Sequence, residues 1–569
     1  EIIHSKISRL TASLIRELTN AQLLQMGYEQ ERRLHSRLGL PIYDVEQRLL
    51  GGKSGEKDSI EAEIIRQFAA EKVLPLGVSE KHGVQDLHVH DLDLIHLPIE
   101  LHREVDFGAS RAYPGPRSHL EKCRISGWDD FLATWEREES RLLKAVGKRL
   151  VWEDVNTAIA FHAQGTHVTT AQAAEQALRK LWRWTEMGRP HPTIVWRLSD
   201  RIAPGWRRRF IGARQMSLLP EDELEIASRG ALLEILAQAL EIGPFWAACG
   251  VEFEVVLHPK KGEDLEPDLV EGAVRAFEAG VPLTLLFQRE TAVAKPRKGS
   301  KTDLIQVVSL NFPRAAALAG GEDSQLVEWL EDRILLATEA HLAKKRLLGR
   351  MLKSGSLSPL AVPGDPGKGS HPFDLDKSLY GVGVWGLDTM SQIHRGEGAE
   401  ESDRAIRWVL GILARLELRL REIGKRLGLE LRLVETSDPN VVERLSHTLA
   451  NAPLVCPAEA PGGRPLEAAE TNERLVRTGK THPFHAFGHR VLALDQTAVN
   501  DGERFGELIQ FLARETHAAG LSLDGRVFCC RDCGKRTDES TTLCDRCGSE
   551  SVYVVDRQHR QTRMSLVEP

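Results

Sequence analysis

Two cysteine hooks near the C-terminal end, Cys530-Arg-Asp-Cys533 and Cys544-Asp-Arg-Cys547, constrain this chain more than any other stretch. Four thiolates at this spacing can surround one metal ion tetrahedrally, and each hook runs into a glycine, Gly534 or Gly548, where the backbone can turn its amides toward the sulfurs. The expected ion is zinc in a structural role, since four sulfurs leave no coordination position for chemistry. Cys529 adjoins Cys530 and competes with it for that ligand position. Reduced thiols in a loop are the plainer alternative. A disulfide pair fits poorly, because nothing marks the chain as secreted and its other cysteines, 123, 249 and 456, are scattered.

That cysteine usage suits a reducing cytoplasm. The net charge of −7 speaks against a broad nucleic-acid surface, and 41% hydrophobic residues are enough for a large buried core. No apolar run reaches the roughly 18 residues of a membrane span. The start, Glu1-Ile-Ile-His, has no signal-peptide shape, and its missing initiator methionine leaves room for a leading segment.

The chain divides into three expected regions: helical 1–80, an α/β region over 81–525, and the knuckle with its tail over 526–569. Gly51-Gly-Lys-Ser-Gly55 reads as a flexible turn, because Gln47 stands where a phosphate loop needs glycine. Residues 120–250 read as mainly helical, and Arg207-Arg-Arg209 as a solvated face or a phosphate contact. Strands are expected at 251–257, 281–287, 305–312, 379–387 and 429–434, and helices at 267–279, 325–352 and 403–427. This alternation of strand and long helix predicts a parallel arrangement with polar groups at strand ends. The basic loop 295–301 and the glycine- and proline-rich loop 354–370 interrupt it.

Polar groups collect at several such ends. Asp86-Leu-His88-Val-His90-Asp91-Leu-Asp93 alternates in a way that aims His88 and His90 to one side. Two imidazoles and Asp91 there could hold a catalytic divalent ion, as in a metal-dependent hydrolase, or form a hydrogen-bonded structural cluster. Asn311-Phe-Pro313-Arg314 is a strand-ending turn that could also touch a ligand. Gly381-Val-Gly383-Val-Trp-Gly386 permits close backbone approach, and Glu435 ends the following strand. His482, His485 and His489 form a further patch, read either as part of the same pocket or as exposed loop residues.

In this order, His88-Val-His90-Asp91-Leu-Asp93, Val308-Ser-Leu-Asn311-Phe-Pro313-Arg314, Tyr380–Leu387, Leu433-Val-Glu435-Thr436 with Glu443-Arg444-Leu445, and the knuckle resemble the anaerobic (class III) ribonucleotide reductases of the glycyl-radical family. The resemblance implies a ten-stranded barrel of two five-stranded halves, a homodimer, and a zinc knuckle beneath the loop that carries the radical glycine. It also implies a nucleotide pocket lined by His88, His90, Asp91, Asp93, Asn311, Pro313, Arg314, Gly383 and Glu435.

The departures concern the radical relay itself. The family's tail motif Arg-x-x-Gly-Tyr is matched here by Arg557-Gln-His-Arg560-Gln561, and no glycine follows Gly548. No cysteine lies anywhere from 250 to 455, where the thiyl residue belongs, and Leu94-Ile-His96 replaces its expected partner. The sequence therefore predicts a radical-free homologue that binds ribonucleotides or deoxynucleotides in the barrel, with Arg560 as a phosphate contact. The alternatives are the metal-dependent hydrolase above and a working reductase whose radical is supplied in trans. Neither membrane nor nucleic acid is an expected partner.

Overall fold

The structure, a computed structural model, describes residues 12–35, 39, 60–105, 128–163, 166–185, 192–202, 221–289, 303–360, 373–435, 441, 444–445, 472–533, 535–537, 541–558 and 561–566. The stretches around Gly51, Arg207–Arg209 and Lys295–Lys301, residues 361–370, Thr436, Glu443 and Arg560 lie outside the described residues.

Helices Ala12–Gln25, Glu29–His35 and Ile60–Phe68 open the chain, and a short strand β1 (Leu87–Val89) follows. Five parallel strands come next: β2 (Glu100–Glu104), β3 (Arg149–Glu153), β4 (Thr193–Ser199), β5 (Val251–Leu257) and β6 (Leu283–Phe287). A second half comprises β7 (Leu304–Asn311), β8 (Leu379–Trp385), β9 (Glu430–Glu435), β10 (Leu492–Asp495) and β11 (Gly520–Cys530). β7, β8 and β9 are parallel to one another, as are β10 and β11. The halves meet antiparallel at two seams, Glu100 opposite Leu304 and Ser522 opposite Thr284. Residues 485–489 bridge β9 to β10, the Ala486 amide donating to Leu433 O (2.8 Å) and the Glu435 amide to His489 O (3.1 Å). The result is the closed ten-stranded barrel expected from the sequence. The reading of 120–250 as mainly helical was incomplete, because β3 and β4 run through it.

The barrel strands are sandwiched between lumen and helices, which is why β5, β6, β7 and β8 are buried at every position. Alternation separates the faces. Leu101, Leu150, Trp152, Ile194, Trp196, Phe253 and Val255 join the main core beneath the helices. Their neighbours along each strand point inward. At the β6–β11 seam the backbones approach so closely that a Cβ on Gly520 would stand 2.2 Å from Leu285 O, which only glycine tolerates. The helix Asp323–Ser354 crosses the outside of β7 and β8, burying Ile334, His341, Lys344 and Leu348.

β11 continues out of the barrel and pairs along Gly525–Cys530 with β13 (Val552–Gln558). A two-residue strand β12 (Arg536–Thr537) and β14 (Gln561–Leu566) complete this extension. The tail thus forms a β-ribbon on the knuckle.

Outside β3, Trp152 packs edge-on to Trp135, and its indole N–H donates to Glu139 Oε2 (2.7 Å). Burial pushes the Glu139 carboxyl up to about 8, so it is protonated in the fold at neutral pH. In the unfolded chain the group ionises near 4.5, so the folded state loses stability as pH rises from there toward 8. Glu139→Gln keeps the acceptor for Trp152 and removes this penalty. Its stability relative to wild type, followed by urea unfolding, should therefore rise between pH 5 and pH 8.

Candidate functional site

Charged side chains fill the inward face of β2–β5. His102 lies between two carboxylates, Nε2 to Glu100 Oε1 (2.8 Å) and Nδ1 to Glu153 Oε1 (2.6 Å). Both ring nitrogens face acceptors. Burial opposes the charged imidazole, but Glu100 and Glu153 raise its pKa above the ordinary histidine value. Arg149 reaches Glu100 Oε2 (3.1 Å), Glu252 Oε2 (3.4 Å) and Glu254 Oε1 (2.7 Å). Arg197 donates through Nε (2.7 Å) and Nη2 (2.6 Å) to Glu254 Oε2, and through Nη1 to Glu153 (2.7 Å). Burial works to raise the Glu100 and Glu153 carboxyls, yet Arg149 with His102, and Arg197 with His102, hold both below the ordinary range. Such a network is tolerable inside a protein only because each carboxylate has a cation in contact.

The second half contributes differently. Ile99, Leu304, Val307, Leu379 and Val434 form an apolar cluster apart from the main core. A Cβ on Gly381 would meet Val434 Cγ2 at 2.8 Å and Val307 Cγ2 at 3.3 Å, so its close neighbours are valine side chains. Gly383 sits between Ser309 and Val434 in register. Opposite them the 482–490 segment is pressed inward. His482 and His485 are buried, contrary to their reading as exposed loop histidines. His482 Nδ1 accepts from the Ala519 amide (3.0 Å), and burial with Arg490 nearby holds both imidazoles neutral, well below the usual range. Arg490 faces Glu435 (3.6 Å).

At the carboxyl ends of β7 and β8, β1 brings His88 opposite Ser309. His90 Nε2 lies 2.6 Å from Ser309 Oγ. Arg444 donates to His88 Nδ1 (2.5 Å) and to His82 O (2.6 Å). Asn311 is a helix cap: its side-chain oxygen accepts from the Arg314 amide (3.1 Å), and its nitrogen donates to Gln85 O and Leu445 O. Pro313 occupies the first turn of the helix Phe312–Ala319, and Arg314 Nε donates to Asp86 Oδ1 (2.8 Å). Asp91, at φ +53°, pairs with Lys148 Nζ (2.6 Å), and Asp93 lies in the following turn, Leu92–Leu94. His88, His90 and Asn311 are therefore gathered at one end of the second half, whereas Asp91 and Glu435 are each engaged by a separate cation.

The alternative hydrolase centre at His88, His90 and Asp91 is not favoured by the described residues. Among the described residues, one group of three or more metal-capable side chains has converging ligand atoms, and it is the four cysteines. Their sulfurs lie within 4.8 Å of one another, with Cys530–Cys547 and Cys533–Cys544 both at 3.5 Å. Around an ion with about 2.3 Å metal–sulfur bonds, the tetrahedral edge is about 3.8 Å, so these residues fit one. The amides of Lys535, Arg546 and Ser549 donate to the sulfurs of Cys533, Cys544 and Cys547, and Gly548 takes φ +69°. Cys529 packs instead with Val527 and Val555, which settles the register on Cys530.

The tail reaches the lumen through Arg557. Its side chain is buried on β13 and donates from Nη2 to Thr284 Oγ1 (3.0 Å) on β6, within the field of Glu252, Asp524 and Arg149. The lumen acids Glu153, Glu252 and Glu254 were missed in the sequence. The signal for the last two was carboxylates two positions apart in an otherwise apolar strand, Val251-Glu-Phe-Glu254.

Removing one member of this network should expose its cost. Arg197→Met is expected to lose about 1–3 kcal/mol, because Glu254 then keeps only Arg149 and Glu153 only His102. In a double-mutant cycle by chemical denaturation, Arg197→Met with Glu254→Met should cost clearly less than the two single losses added together.

Residues 280–452 match the family model described as anaerobic ribonucleoside-triphosphate reductase. Among solved structures, one described as an anaerobic ribonucleotide reductase superposes with a TM-score of 0.69 at 14% identity, covering 98% of this chain and 95% of that one. The anaerobic ribonucleotide reductase from Thermotoga maritima with dATP bound in the specificity site gives 0.68 at 13% identity, covering 98% and 99%. Its complex with dATP and CTP gives 0.68 at 13% identity, covering 98% of both chains. A search of curated proteins returns no match. At these identities the structural likeness is one of fold.

Proposed function

We propose, from a chain with the fold of the anaerobic ribonucleotide reductases and their family signature over 280–452, a radical-free homologue that binds nucleotides without reducing them. The observation that carries this reading is the absence of cysteine between 250 and 455 together with Arg560 standing where the resembling family's tail motif has glycine. A backbone radical needs an α-carbon without a side chain, and hydrogen-atom transfer to the ribose needs a thiol; neither has a residue here. Among the described residues, the polar side chains of the lumen named above are carboxylates, guanidiniums, imidazoles and hydroxyls, and Arg557 enters it from the tail.

Nucleotide is the favoured ligand because the similar Thermotoga maritima enzyme is described with dATP and CTP bound. In this reading the chain is a cytoplasmic homodimer that acts as a sensor, regulator or partner subunit. A zinc ion held by Cys530, Cys533, Cys544 and Cys547 would be structural, pinning β11 to β13 and thereby Arg557 to its place beside Thr284.

Titration with labelled ribonucleotides and deoxynucleotides should show saturable binding, and its absence for all of them would remove the proposal. Incubation with an activating radical enzyme under anaerobic conditions should give neither a carbon-centred doublet in electron paramagnetic resonance nor deoxynucleotide product. Elemental analysis should find about one zinc per chain. Chelation should lower the melting temperature, and Cys547→Ser should reproduce that loss.

A further inference from the structure

The imidazoles beside β1 have their protons fixed by their neighbours. His82 Nδ1 faces two donors, the Val89 amide (3.1 Å) and Arg444 Nη1 (3.3 Å). His88 Nδ1 also faces Arg444 Nη1, and a guanidinium has no acceptor to offer. Both Nδ1 atoms therefore accept, and in each neutral ring the proton sits on Nε2. The ring centroids lie 5.1 Å apart, with His90 edge-on to His88 at 4.7 Å. His82, His88 and Arg444 are all partly exposed, so their outward N–H groups can be reached.

The charges around them favour an acceptor from outside. The two nearby carboxylates are already engaged: Asp86 by Arg314 (2.8 Å) and Arg333 (2.7 Å), with Lys81 at 3.5 Å, and Asp91 by Lys148 (2.6 Å). Cations outnumber acids here once Arg444 is included. Burial, with Arg444 close by, pushes His82 down to about 3, and burial with the neighbouring imidazoles pushes His88 lower still. Both rings are consequently neutral donors at physiological pH. Arg444 makes three hydrogen bonds to His82 and His88, leaving part of its five N–H groups for a ligand.

We propose that His82, His88 and Arg444 form an oxyanion site that takes the phosphate chain of a nucleotide at the carboxyl end of β7. The assignment rests on the nucleotide reading above and gives it a location: two neutral imidazole N–H donors flanking one guanidinium, on partly exposed side chains with more cations than acids around them, match phosphate oxygens, and Arg444 adds the charge. His82, at the end of the helix Leu76–Gly83, becomes part of the site through these contacts, although no motif marks it.

The test uses calorimetric titration of the full chain with inorganic tripolyphosphate and, separately, with a ribonucleoside triphosphate. His88→Asn retains an acceptor at the Nδ1 position for Arg444 and deletes the Nε2 donor. It should weaken both ligands about ten-fold, equivalent to about 1.4 kcal/mol, with an unchanged melting temperature. His82→Asn follows the same logic and serves if the first variant fails to fold. Unchanged affinity for both ligands in either folded variant overturns the site while leaving nucleotide binding elsewhere intact. Wild-type binding of tripolyphosphate without any nucleotide, lost in the variant, upholds the oxyanion site and removes the nucleotide reading instead. Binding of neither ligand by the wild type overturns both.

Discussion

Arg149 and Arg197, on neighbouring strands of a closed barrel, are the constraint from which much of the architecture follows. Each is held by carboxylates from strands on both sides, Glu100 and Glu254 for one, Glu153 and Glu254 for the other. A guanidinium removed from water cannot be left without such partners. Strand registers across β2–β5 are therefore locked by charge contacts as well as by backbone hydrogen bonds, since a shift by one residue would turn every acid outward into the apolar layer. His102, hydrogen-bonded between Glu100 and Glu153, joins β2 to β3 in the same way.

This interior makes the two halves of the barrel chemically unequal. The first half is ionic, and the second is apolar where Val307, Leu379 and Val434 meet. Between them, the 482–490 segment brings buried neutral imidazoles from one side, and β13 brings Arg557 from another.

The parts legible in the sequence were those whose signal is local. The cysteine spacing located the knuckle to the residue, and the structure chose Cys530 over Cys529 by facing the latter toward Val555. Strands such as Val251–Leu257 and helices such as Asp403–Leu427 emerged at nearly their observed limits because period and capping agree there. β3 and β4 were hidden because Arg149-Leu-Val-Trp-Glu153 and its neighbours are short, carry charges at their inward positions and lie among strongly helical segments. Whether an ionic residue faces solvent or a lumen is decided by strands far away in the chain, and one sequence does not display that. Asn311 was visible as a turn residue, but its capping of the next helix and its contact with Leu445 depend on tertiary placement.

β11 belongs to two structures at once: its first residues close the seam with β6, and its last residue is a knuckle cysteine. There is consequently no hinge at which the knuckle could be cut away as a self-contained cartridge. A truncation within this strand would strip the barrel of its final stave, and a transplanted knuckle would carry a torn edge. In heredity, too, the two must travel as one unit, so a turn whose four sulfurs fit a metal ion can persist for the sake of the container.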